Sequence, residues 1–481
     1  MLNVSRDEIL DKMRSTNRWW TGTARAADVP YSAYRPRAYF EPFLRLAKQH
    51  KPVRALLLMG PRRVGKTVLL FHVIKHWIEQ GHQPQSLLYL DVQQPVYSGI
   101  SLENLLRYAA EASGIDLSER LFVCFDEIQY LRDWERHLKA LVDSFPQIKF
   151  VASGSAAAAL KLKSTESGAG RFTDFLLPPL TFYEYLDLMK VLDDIVQFEV
   201  KSGRTEATCS DINILNEHFI DYLNYGGYPE ALSSPGMRAD PGRFIRSDII
   251  DKVLLKDLPS LYGIQDIQEM NSLFTSLAYN TAQEISLHKL SQKSGVSKNT
   301  IKRYIEYLES AFLIRVVHRI DRNAKRFQRA NFFKVYLTNP SMRAALFSPI
   351  SADDPAAGPL VETAIFAQWF HSLTAELHYA RWNDGEVDIV YLNAAMHPEW
   401  AIEVKWTDRF DERPDELRSM LAFCRQHPRC KCQVTTITRK AQKTIDGLTI
   451  PLVPASLYCL QLGYNAIHGK PSSAIIWGQG E

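Results

Sequence analysis

The amino-acid sequence predicts an α/β protein whose first half is a doubly wound parallel sheet. Short apolar runs of strand length, at 53–59, 86–91, 121–125 and 148–152, alternate with segments whose apolar residues recur at helical spacing. The first run leads into a glycine-containing loop, and the third is followed by two adjacent carboxylates. Because ligands of open α/β sheets bind at the carboxyl ends of the strands, we expect the functional site of this half at that edge.

The loop after the first strand has the pattern G-x-x-x-x-G-K-[ST]. Its glycines let backbone N–H groups close around phosphates, and the following helix adds the positive end of its dipole. In this arrangement Lys66 reaches the β- and γ-phosphates, and the Thr67 hydroxyl holds Mg²⁺. The sequence therefore predicts that the chain binds ATP with Mg²⁺. The predicted binding residues are Gly60, Pro61, Arg62, Arg63, Val64, Gly65, Lys66 and Thr67.

The two carboxylates after the third strand predict that bound ATP is hydrolysed. Asp126 suits the magnesium shell, and Glu127 suits orienting and deprotonating the attacking water. A kinase would need no water-activating base here, so we expect an ATPase with Lys66 and Glu127 as catalytic residues. After the fourth strand, Ser153 is either a sensor of the γ-phosphate or part of a simple turn.

Length and composition indicate an ordinary globular protein of several domains. The chain has 481 residues, 46% of them hydrophobic and 23% charged, with a formal net charge of +3. This length predicts about three domains, and the small net charge means that a nucleic-acid argument must rest on local clusters. No apolar run reaches the roughly 18 residues of a membrane span, and the six cysteines do not suggest a disulfide framework. We therefore expect a cytoplasmic protein.

Three cysteines and a histidine lie within nine residues of one another, at Cys424, His427, Cys430 and Cys432. Zinc uses such ligands, but this spacing matches no common closed zinc site. We therefore predict ordinary buried thiols here.

More specific stretches accompany the nucleotide motifs. They are FDEIQ at 125–129, SGS at 153–155, GRF at 170–172, LPPLTFYEY at 177–185 and GGYP at 226–229. With them, the chain resembles the prokaryotic AAA-like ATPases that carry a C-terminal domain of unknown function, over nearly its whole length. The resemblance implies an AAA-like sheet and makes Arg171 a candidate phosphate-sensing or intersubunit arginine. A surface guanidinium is the alternative for Arg171.

A different pattern occupies the middle of the chain, where a short helix, a glycine turn, a capped helix and a strand follow one another. Gly295 ends the first helix, Ser297 caps the second, and 312–317 is the strand. This is the order of a winged helix-turn-helix, and the outward face of its second helix is basic. A local cluster of basic side chains suits contacts with the phosphates of double-stranded DNA, although winged helices also bind proteins. The predicted DNA contacts are Lys298, Lys302, Arg303 and Arg319, with Arg315, Arg322, Lys325, Arg326 and Arg329 as further basic residues.

The last informative pattern combines a helix acid at Glu362 with Asp388 on one strand and Glu403 and Lys405 on the next. It resembles the core of PD-(D/E)XK nucleases, although Val387 stands where the motif has proline. The resemblance implies that Asp388 and Glu403 bind Mg²⁺ and that Lys405 orients or activates water, with all three as catalytic residues. The alternatives are a cross-strand network of exposed charges, or a nuclease fold that has lost cleavage.

Together the patterns predict an ATP-dependent switch or remodelling protein that acts on DNA, in genome defence or mobile-element biology. The alternative is an ATP-gated signalling or chaperone-like protein whose C-terminal domains bind protein. Expected partners are ATP and double-stranded DNA, with a protein partner or homo-oligomer left open and no membrane. The predicted regions are an N-terminal helical segment (1–45), an AAA-like P-loop ATPase domain (46–200), a helical lid or linker (201–263), a winged helix-turn-helix domain (264–348), a small α/β nuclease-like domain (358–465) and a tail (466–481).

Overall fold

The structure is a computed structural model of the chain. It describes residues 4–21, 25–154, 170–201, 204–233, 240–326, 331–371, 376–409 and 413–468. Ser155, Arg329 and residues 469–481 of the predicted tail lie outside the described residues. The chain forms two compact units, residues 1–178 and residues 179–481.

The first unit is built on a five-stranded sheet in which every pairing is parallel. Its strands are β1 (Ala55–Met59), β2 (Leu87–Asp91), β3 (Phe122–Asp126), β4 (Lys149–Gly154) and β5 (Phe172–Leu176). The order across the sheet is β2-β3-β4-β1-β5. The predicted parallel α/β architecture of the first half is therefore confirmed.

Strand β4 lies between β1 and β3, which brings three loop regions together at one edge of the sheet. Leu58 of β1 is in register with Ser153, and Phe125 of β3 is in register with Ala152. The phosphate loop, the carboxylates after β3 and Ser153 therefore share the carboxyl edge, where ligands of such sheets bind. Helices of this unit are α1 (Arg6–Thr16), α2 (Phe40–Lys48), α3 (Lys66–Glu79), α4 (Leu102–Ser113) and α5 (Trp134–Ser144).

The segment that follows α1 covers the free edge of β2. The indole N–H groups of Trp19 and Trp20 both donate to the Leu87 carbonyl, at 2.9 and 3.0 Å. The Asn17 amide accepts from the Tyr89 N–H at 2.8 Å and donates to the Tyr89 carbonyl at 2.9 Å. These side chains satisfy backbone groups that an edge strand would otherwise leave unpaired.

The second unit contains a nine-stranded mixed sheet and a separate hairpin, β6 (Val196–Lys201) with β7 (Arg204–Cys209). The order across the large sheet is β15-β16-β14-β13-β12-β11-β9-β10-β8. Its strands are β8 (Glu284–Ser286), β9 (Ile314–Ile320), β10 (Phe332–Leu337), β11 (Leu377–Trp382), β12 (Gly385–Leu392), β13 (Pro398–Glu403), β14 (Lys431–Thr436), β15 (Ala441–Ile445) and β16 (Leu448–Pro454).

The helices of the second unit surround this sheet. The α-helices before the large sheet are α6 (Phe182–Leu188), α7 (Leu192–Ile195), α8 (Ile212–Tyr225), α9 (Pro229–Ser233), α10 (Pro241–Phe244) and α11 (Leu258–Tyr262). From residue 267 onward the α-helices are α12 (Ile267–Tyr279), α13 (Leu287–Ser294), α14 (Lys298–Ser310), α15 (Ser341–Leu346), α16 (Ala357–Gln368), α17 (Arg418–Gln426) and α18 (Ala455–His468). Between α10 and α11 the chain forms π-helical turns.

The middle of the chain has the element order α12, β8, α13, α14, β9, β10. Gly295 adopts a left-handed conformation (φ 73°) at the end of α13, and the Ser297 side chain accepts the Thr300 N–H at the start of α14. Strand β10 pairs antiparallel with both β8 and β9. The predicted glycine turn, capped helix and following strand are therefore confirmed as local structure, and that strand, β9, pairs with β10.

The C-terminal part has the order α16, β11, β12, β13, α17, β14. The first three strands form an antiparallel meander, and β14 joins β13 in parallel. Strand β9 pairs in parallel with β11, so the hairpin of the middle region and the meander belong to one sheet. Helix α16 is buried along nearly its whole length, and it packs against α18 and β10.

The prediction of ordinary thiols is wrong for Cys424 and Cys432, whose sulfur atoms are joined as a disulfide. Helix α17 and strand β14 are neighbours in the fold, which brings the two side chains together although the sequence pattern does not show it. Cys430 is a buried free thiol, in agreement with the prediction. Among the helices described, none is long and apolar enough to cross a membrane.

Candidate nucleotide site and carboxylate cluster

The phosphate loop leaves β1 at Gly60 and enters α3 at Lys66. A Cβ atom at Gly60 would lie 2.2 Å from the Leu177 carbonyl oxygen, so no larger residue fits there without displacement. Gly65, with φ of 95°, precedes the first residue of α3 in a left-handed conformation that glycine adopts readily. The Lys66 ammonium donates to the Gly60 and Pro61 carbonyls at 3.0 and 2.8 Å, so it spans the loop it belongs to.

Asp126 is the centre of a buried hydrogen-bond network. Its Oδ2 accepts from the Thr67 hydroxyl at 2.7 Å and from the Tyr89 hydroxyl at 2.6 Å, and its Oδ1 accepts from the Ser153 hydroxyl. Burial, and then the charge of Glu127, raise the pKa of Asp126, while the three hydroxyl donors act in the opposite direction. Tyr89 lies on β2 with no motif around it, so the sequence does not indicate its contact with Asp126.

Glu127 is held beside Asp126 by an unusual backbone conformation. Its φ of 53° lies in the left-handed region, and its N–H donates to the Ser153 hydroxyl oxygen at 3.1 Å. The Gln129 side-chain amide donates to Glu127 Oε2. Left-handed residues other than glycine are uncommon and concentrate at functional sites, which fits a carboxylate that must point in a set direction.

The predicted arginines of this region have different surroundings. Arg171 is about half exposed, and its Nε lies 2.5 Å from Asp143 Oδ1. Arg62 donates to the Tyr130 hydroxyl at 3.1 Å. Arg37 was not singled out from the sequence, yet it is buried and donates to the carbonyls of Val64 and Pro178 at 2.9 and 2.8 Å. It therefore fixes the phosphate loop to the segment after β5.

The residues of the phosphate loop, together with Thr67 and Asp126, fit ATP and Mg²⁺. The glycine cradle admits a close approach to the backbone, and the α3 N-terminus favours an anion. The hydroxyl of Thr67 and the carboxylate of Asp126 are adjacent oxygen donors, and Mg²⁺ in such sites takes few protein ligands beside phosphate and water.

The basic residues of the middle region fall into two groups. Lys298, Lys302 and Arg303 are exposed on α14, whose opposite face buries Ile301 and Tyr304. Arg319 is half-buried instead: it donates to the Arg381 carbonyl at 3.2 and 3.0 Å, and its Nη1 lies 3.6 Å from Glu284. The guanidinium of Arg319 is thus engaged inside the sheet region, which the sequence could not show.

The predicted nuclease-like residues come together in the second unit. Glu362 of α16, Asp388 of β12 and Glu403 of β13 are buried, and we call them, with Glu386 of β12, the carboxylate cluster. Asp388 Oδ2 accepts from the Val404 N–H at 2.9 Å, which ties the two strands together. The Lys405 ammonium lies 2.8 Å from Glu403 Oε1.

An unpredicted residue, Lys334 of β10, occupies the middle of the carboxylate cluster. Its ammonium lies 2.6 Å from Glu386 Oε1, 2.9 Å from Glu362 Oε1 and 3.3 Å from Asp388 Oδ1. The Tyr336 hydroxyl, two residues along β10, donates to the same Glu362 oxygen at 2.5 Å.

Burial sets the electrostatics of the cluster. It raises the pKa of Glu362 to about 7 and that of Glu403 to about 8, and the charge of Asp388 adds to both shifts. Burial lowers the pKa of Lys334, but the carboxylates, with Glu362 first, outweigh it and hold the ammonium protonated. Across the described ranges, no three His, Cys, Asp or Glu side chains are arranged to hold a metal ion.

Comparison with known families separates two regions of the chain. Residues 53–186 match a family described as AAA domain, and residues 216–354 match one described as a domain of unknown function (DUF8612). The first match contains the phosphate loop, Asp126, Glu127, Ser153 and Arg171. This part of the chain is therefore an AAA-type, ATPase-like domain with a P-loop, as the sequence motifs predict.

Curated relatives carry no assigned activity. An uncharacterized protein of Haemophilus influenzae is 25% identical over 293 residues, which are 60% of this chain and 68% of that protein. An uncharacterized protein of Methanocaldococcus jannaschii is 26% identical over 325 residues, 64% of this chain and 66% of that protein. A second protein of that organism is 24% identical over 291 residues, 59% of this chain and 61% of its own length. The matched region thus spans about two thirds of the length of these relatives.

Two solved structures of remote similarity complete the comparison. The ORC2 protein of Aeropyrum pernix in its ADP form has a TM-score of 0.33 and 14% identity, over 66% of this chain and 93% of that chain. PCH-2 of C. elegans has a TM-score of 0.27 and 18% identity, over 41% of this chain and 59% of that chain.

Proposed function

We propose that the chain is an ATP-hydrolysing switch that acts on double-stranded DNA. The observation that carries the proposal is the exposed basic face of α14, which belongs to a helix-turn-helix with a β-hairpin in the same chain as an AAA-type domain. The ATPase domain supplies the energy or the timing, and the helix-turn-helix supplies the contact with DNA. A role in genome defence or mobile-element biology is consistent with both parts.

In the ATPase domain, each side chain has a distinct task. Lys66 exchanges its contacts with the loop carbonyls for contacts with phosphate oxygens, and the backbone N–H groups of the loop hold the remaining phosphate charge. Glu127 orients the attacking water and accepts its proton. Ser153 holds Asp126 and the Glu127 backbone in one arrangement, so it positions both carboxylates. Bound Mg²⁺ would neutralise charge on the phosphates, with Thr67 and Asp126 as its protein-side partners.

For the DNA contact, helix α14 offers what a recognition helix needs. Its buried face packs through Ile301 and Tyr304, while Lys298, Lys302 and Arg303 remain exposed on the other side. Ammonium and guanidinium groups at this spacing suit successive phosphates or base edges of the major groove. Arg319 contributes by stabilising the sheet behind the helix, given its contacts with Arg381 and Glu284.

The proposal is tested by DNA binding of the full chain over a series of salt concentrations, with and without a non-hydrolysable ATP analogue. Phosphate contacts give a logarithmic binding constant that falls steeply and linearly with the logarithm of salt concentration. Binding that changes with nucleotide would link the two functions. Absence of salt-dependent DNA binding would instead favour the alternative, in which the C-terminal regions of an ATP-gated signalling or chaperone-like protein bind protein.

A second candidate function, metal-dependent DNA cleavage, is favoured by the convergence of Glu362, Asp388, Glu403 and Lys405. The order of helix, three-stranded meander, helix and parallel strand around them supports the resemblance to PD-(D/E)XK nucleases. Asp388 and Glu403 would be the metal ligands, and Lys405 the cation that faces the phosphate. The buried ammonium of Lys334 speaks against a metal ion in the same arrangement.

Cleavage is tested with supercoiled plasmid, linear duplex and single-stranded DNA, in Mg²⁺ or Mn²⁺, with and without ATP. Nicking that disappears in Asp388→Ala and in Lys405→Ala, with ATP turnover retained, would establish it. Absence of cleavage under every condition would retire this candidate and leave the ATPase and DNA-binding proposals standing.

A further inference from the structure

We propose that Lys334 is a built-in counter-ion of the carboxylate cluster, and that it excludes a divalent cation from the position that a nuclease metal would take. The inference deepens the second candidate function and rests on the geometry of the cluster. The Lys334 side chain must move before any metal-dependent chemistry begins there.

The Lys334 ammonium contacts as many carboxylate oxygens as it has hydrogen-bond donors. A lysine ammonium has three N–H donors, and Lys334 has three carboxylate oxygens within 3.3 Å, from Glu362, Glu386 and Asp388. Its side chain is only 2% exposed. The ring of Tyr379 also lies below it, with Nζ 5.5 Å from the ring centroid. The Lys334 ammonium is therefore a buried ion whose hydrogen-bond donors all have carboxylate partners, unlike a solvent-exposed lysine beside acidic residues.

The distances from those oxygens to the point on which they converge suit an ammonium and not a metal ion. They surround Nζ at 2.6 to 3.3 Å, which suits N–H···O bonds, whereas Mg²⁺ requires oxygens at about 2.0–2.1 Å. A metal ion at the same point would lie against the ammonium, and two positive charges at contact repel strongly in a buried site. Lys334 and a divalent cation therefore exclude each other.

Carboxylate oxygens of the cluster that do not contact Lys334 are also largely engaged by other groups. Asp388 Oδ2 accepts from the Val404 N–H, and Glu403 Oε1 is paired with Lys405. Within the described residues, Glu403 Oε2 is buried and has no hydrogen-bond partner. Glu386 Oε2 is paired with Arg381 at 2.8 Å, so most oxygens of the cluster are already engaged, whereas a hard cation prefers six or more oxygen ligands including water. Removing the Lys334 ammonium would release Glu386 Oε1 and Asp388 Oδ1 at once, while Glu362 Oε1 would keep the Tyr336 hydroxyl as its donor.

Lys334 also connects the cluster to another part of the fold. It lies on β10, which pairs with the strands on either side of the helix-turn-helix, β8 and β9. The carboxylates lie on α16, β12 and β13. A metal could enter the cluster only if the β10 side chain withdrew, so the helix-turn-helix hairpin holds the site closed.

The test is binding of Mn²⁺ to nucleotide-free full-length protein, measured by electron paramagnetic resonance and by the metal-induced shift in melting temperature. Lys334→Met is expected to bind Mn²⁺ at least about tenfold more tightly than the unsubstituted protein, because the repelling charge is gone. Adding Asp388→Asn to that variant should abolish the gain. Lys431→Met, which removes an exposed lysine of β14 and leaves Lys334 in place, should behave like the unsubstituted protein.

Two outcomes would overturn the inference. One is Asp388-dependent Mn²⁺ binding by the unsubstituted protein that is as tight as binding by Lys334→Met. The other is a folded Lys334→Met protein, with normal ATP turnover, that gains no binding. If loss of the ammonium prevents folding, Lys334→Met with Glu386→Gln removes one acid together with the lysine, and the same two outcomes apply. Because metal binding is measured without DNA, the result does not depend on whether the protein cleaves DNA.

Discussion

At the scale of single residues, the proposed function assigns phosphate binding and water activation to different side chains. Lys66 belongs to the glycine-containing loop after β1, and Glu127 follows Asp126 at the end of β3. We predict that Lys66→Ala abolishes ATP binding, because the charge facing the β- and γ-phosphates is removed. Binding would be measured by isothermal titration calorimetry, with Lys139→Ala on α5 as the control for removal of a lysine.

Glu127→Gln is predicted to keep ATP binding and lose hydrolysis. The amide keeps the shape of the side chain but cannot accept a proton, and such losses cost about 10²–10⁴-fold in turnover. Single-turnover hydrolysis is the measurement, because it reports the chemical step directly. Glu119→Gln, at an exposed glutamate of the same unit, is the control. Parental hydrolysis by Glu127→Gln would show that another group activates the water.

Gly60 is predicted to tolerate no side chain. An added Cβ would lie 2.2 Å from the Leu177 carbonyl oxygen, a backbone atom that cannot relieve the clash by a change of side-chain rotamer. Gly60→Ala should lower the free energy of unfolding by about 1–3 kcal/mol and weaken ATP binding, because the loop must shift. Gly358→Ala, where an added Cβ meets nothing within 4 Å, is the control in thermal denaturation. Equal melting temperatures for the two variants would contradict the close approach.

At the scale of secondary-structure elements, α14 is predicted to carry the DNA contact. Reversing charge with Lys302→Glu and Arg303→Glu should weaken duplex binding and lower the salt slope by about one unit for each phosphate interaction that the substitutions remove. ATP affinity should not change, because neither residue belongs to the ATPase domain. The matched control is Arg418→Glu with Arg429→Glu, two exposed arginines elsewhere in the second unit. An unchanged salt slope would contradict the DNA contact and favour protein binding by this helix-turn-helix.

The segment after α1 is predicted to stabilise the edge of β2. Trp19 is fully buried, and its indole donates to the Leu87 carbonyl. Trp19→Ala should cost about 3–5 kcal/mol of unfolding free energy, because it leaves a large cavity and removes one of the two indole donors to the Leu87 carbonyl. The exposed neighbour Arg18→Ala should cost little, and denaturant unfolding compares the two. A small loss in Trp19→Ala would mean that the edge is held by Asn17 and Trp20.

At the scale of the whole molecule, the ATPase half was predictable because its signals are local. A phosphate loop needs its glycines, lysine and threonine within eight residues, and the strand before it and the helix after it are adjacent in sequence. The same holds for the cap at Ser297 and the turn at Gly295, since capping acts over three residues. The family match over residues 53–186 agrees with this local evidence.

The parts that escaped prediction depend on residues distant in sequence. Tyr89 reaches Asp126 because β2 is the neighbour of β3, and Lys334 reaches Asp388 across 54 positions of the chain. Cys424 and Cys432 are close in sequence, yet their bond depends on how α17 packs beside β14. Periodicity assigns a face to a side chain but does not say what lies opposite it.

The sequence by itself determined the parallel α/β fold of the first half, the phosphate loop with its two carboxylates, and which residues of α14 face outward. Each follows from short-range geometry, in which residue spacing fixes position on a turn, strand or helix. The tertiary structure alone decided that Arg319 is engaged within the sheet region and that Lys334 fills the carboxylate cluster. Those facts depend on which elements pack together, and burial then decides whether a charge is free for a ligand or already paired.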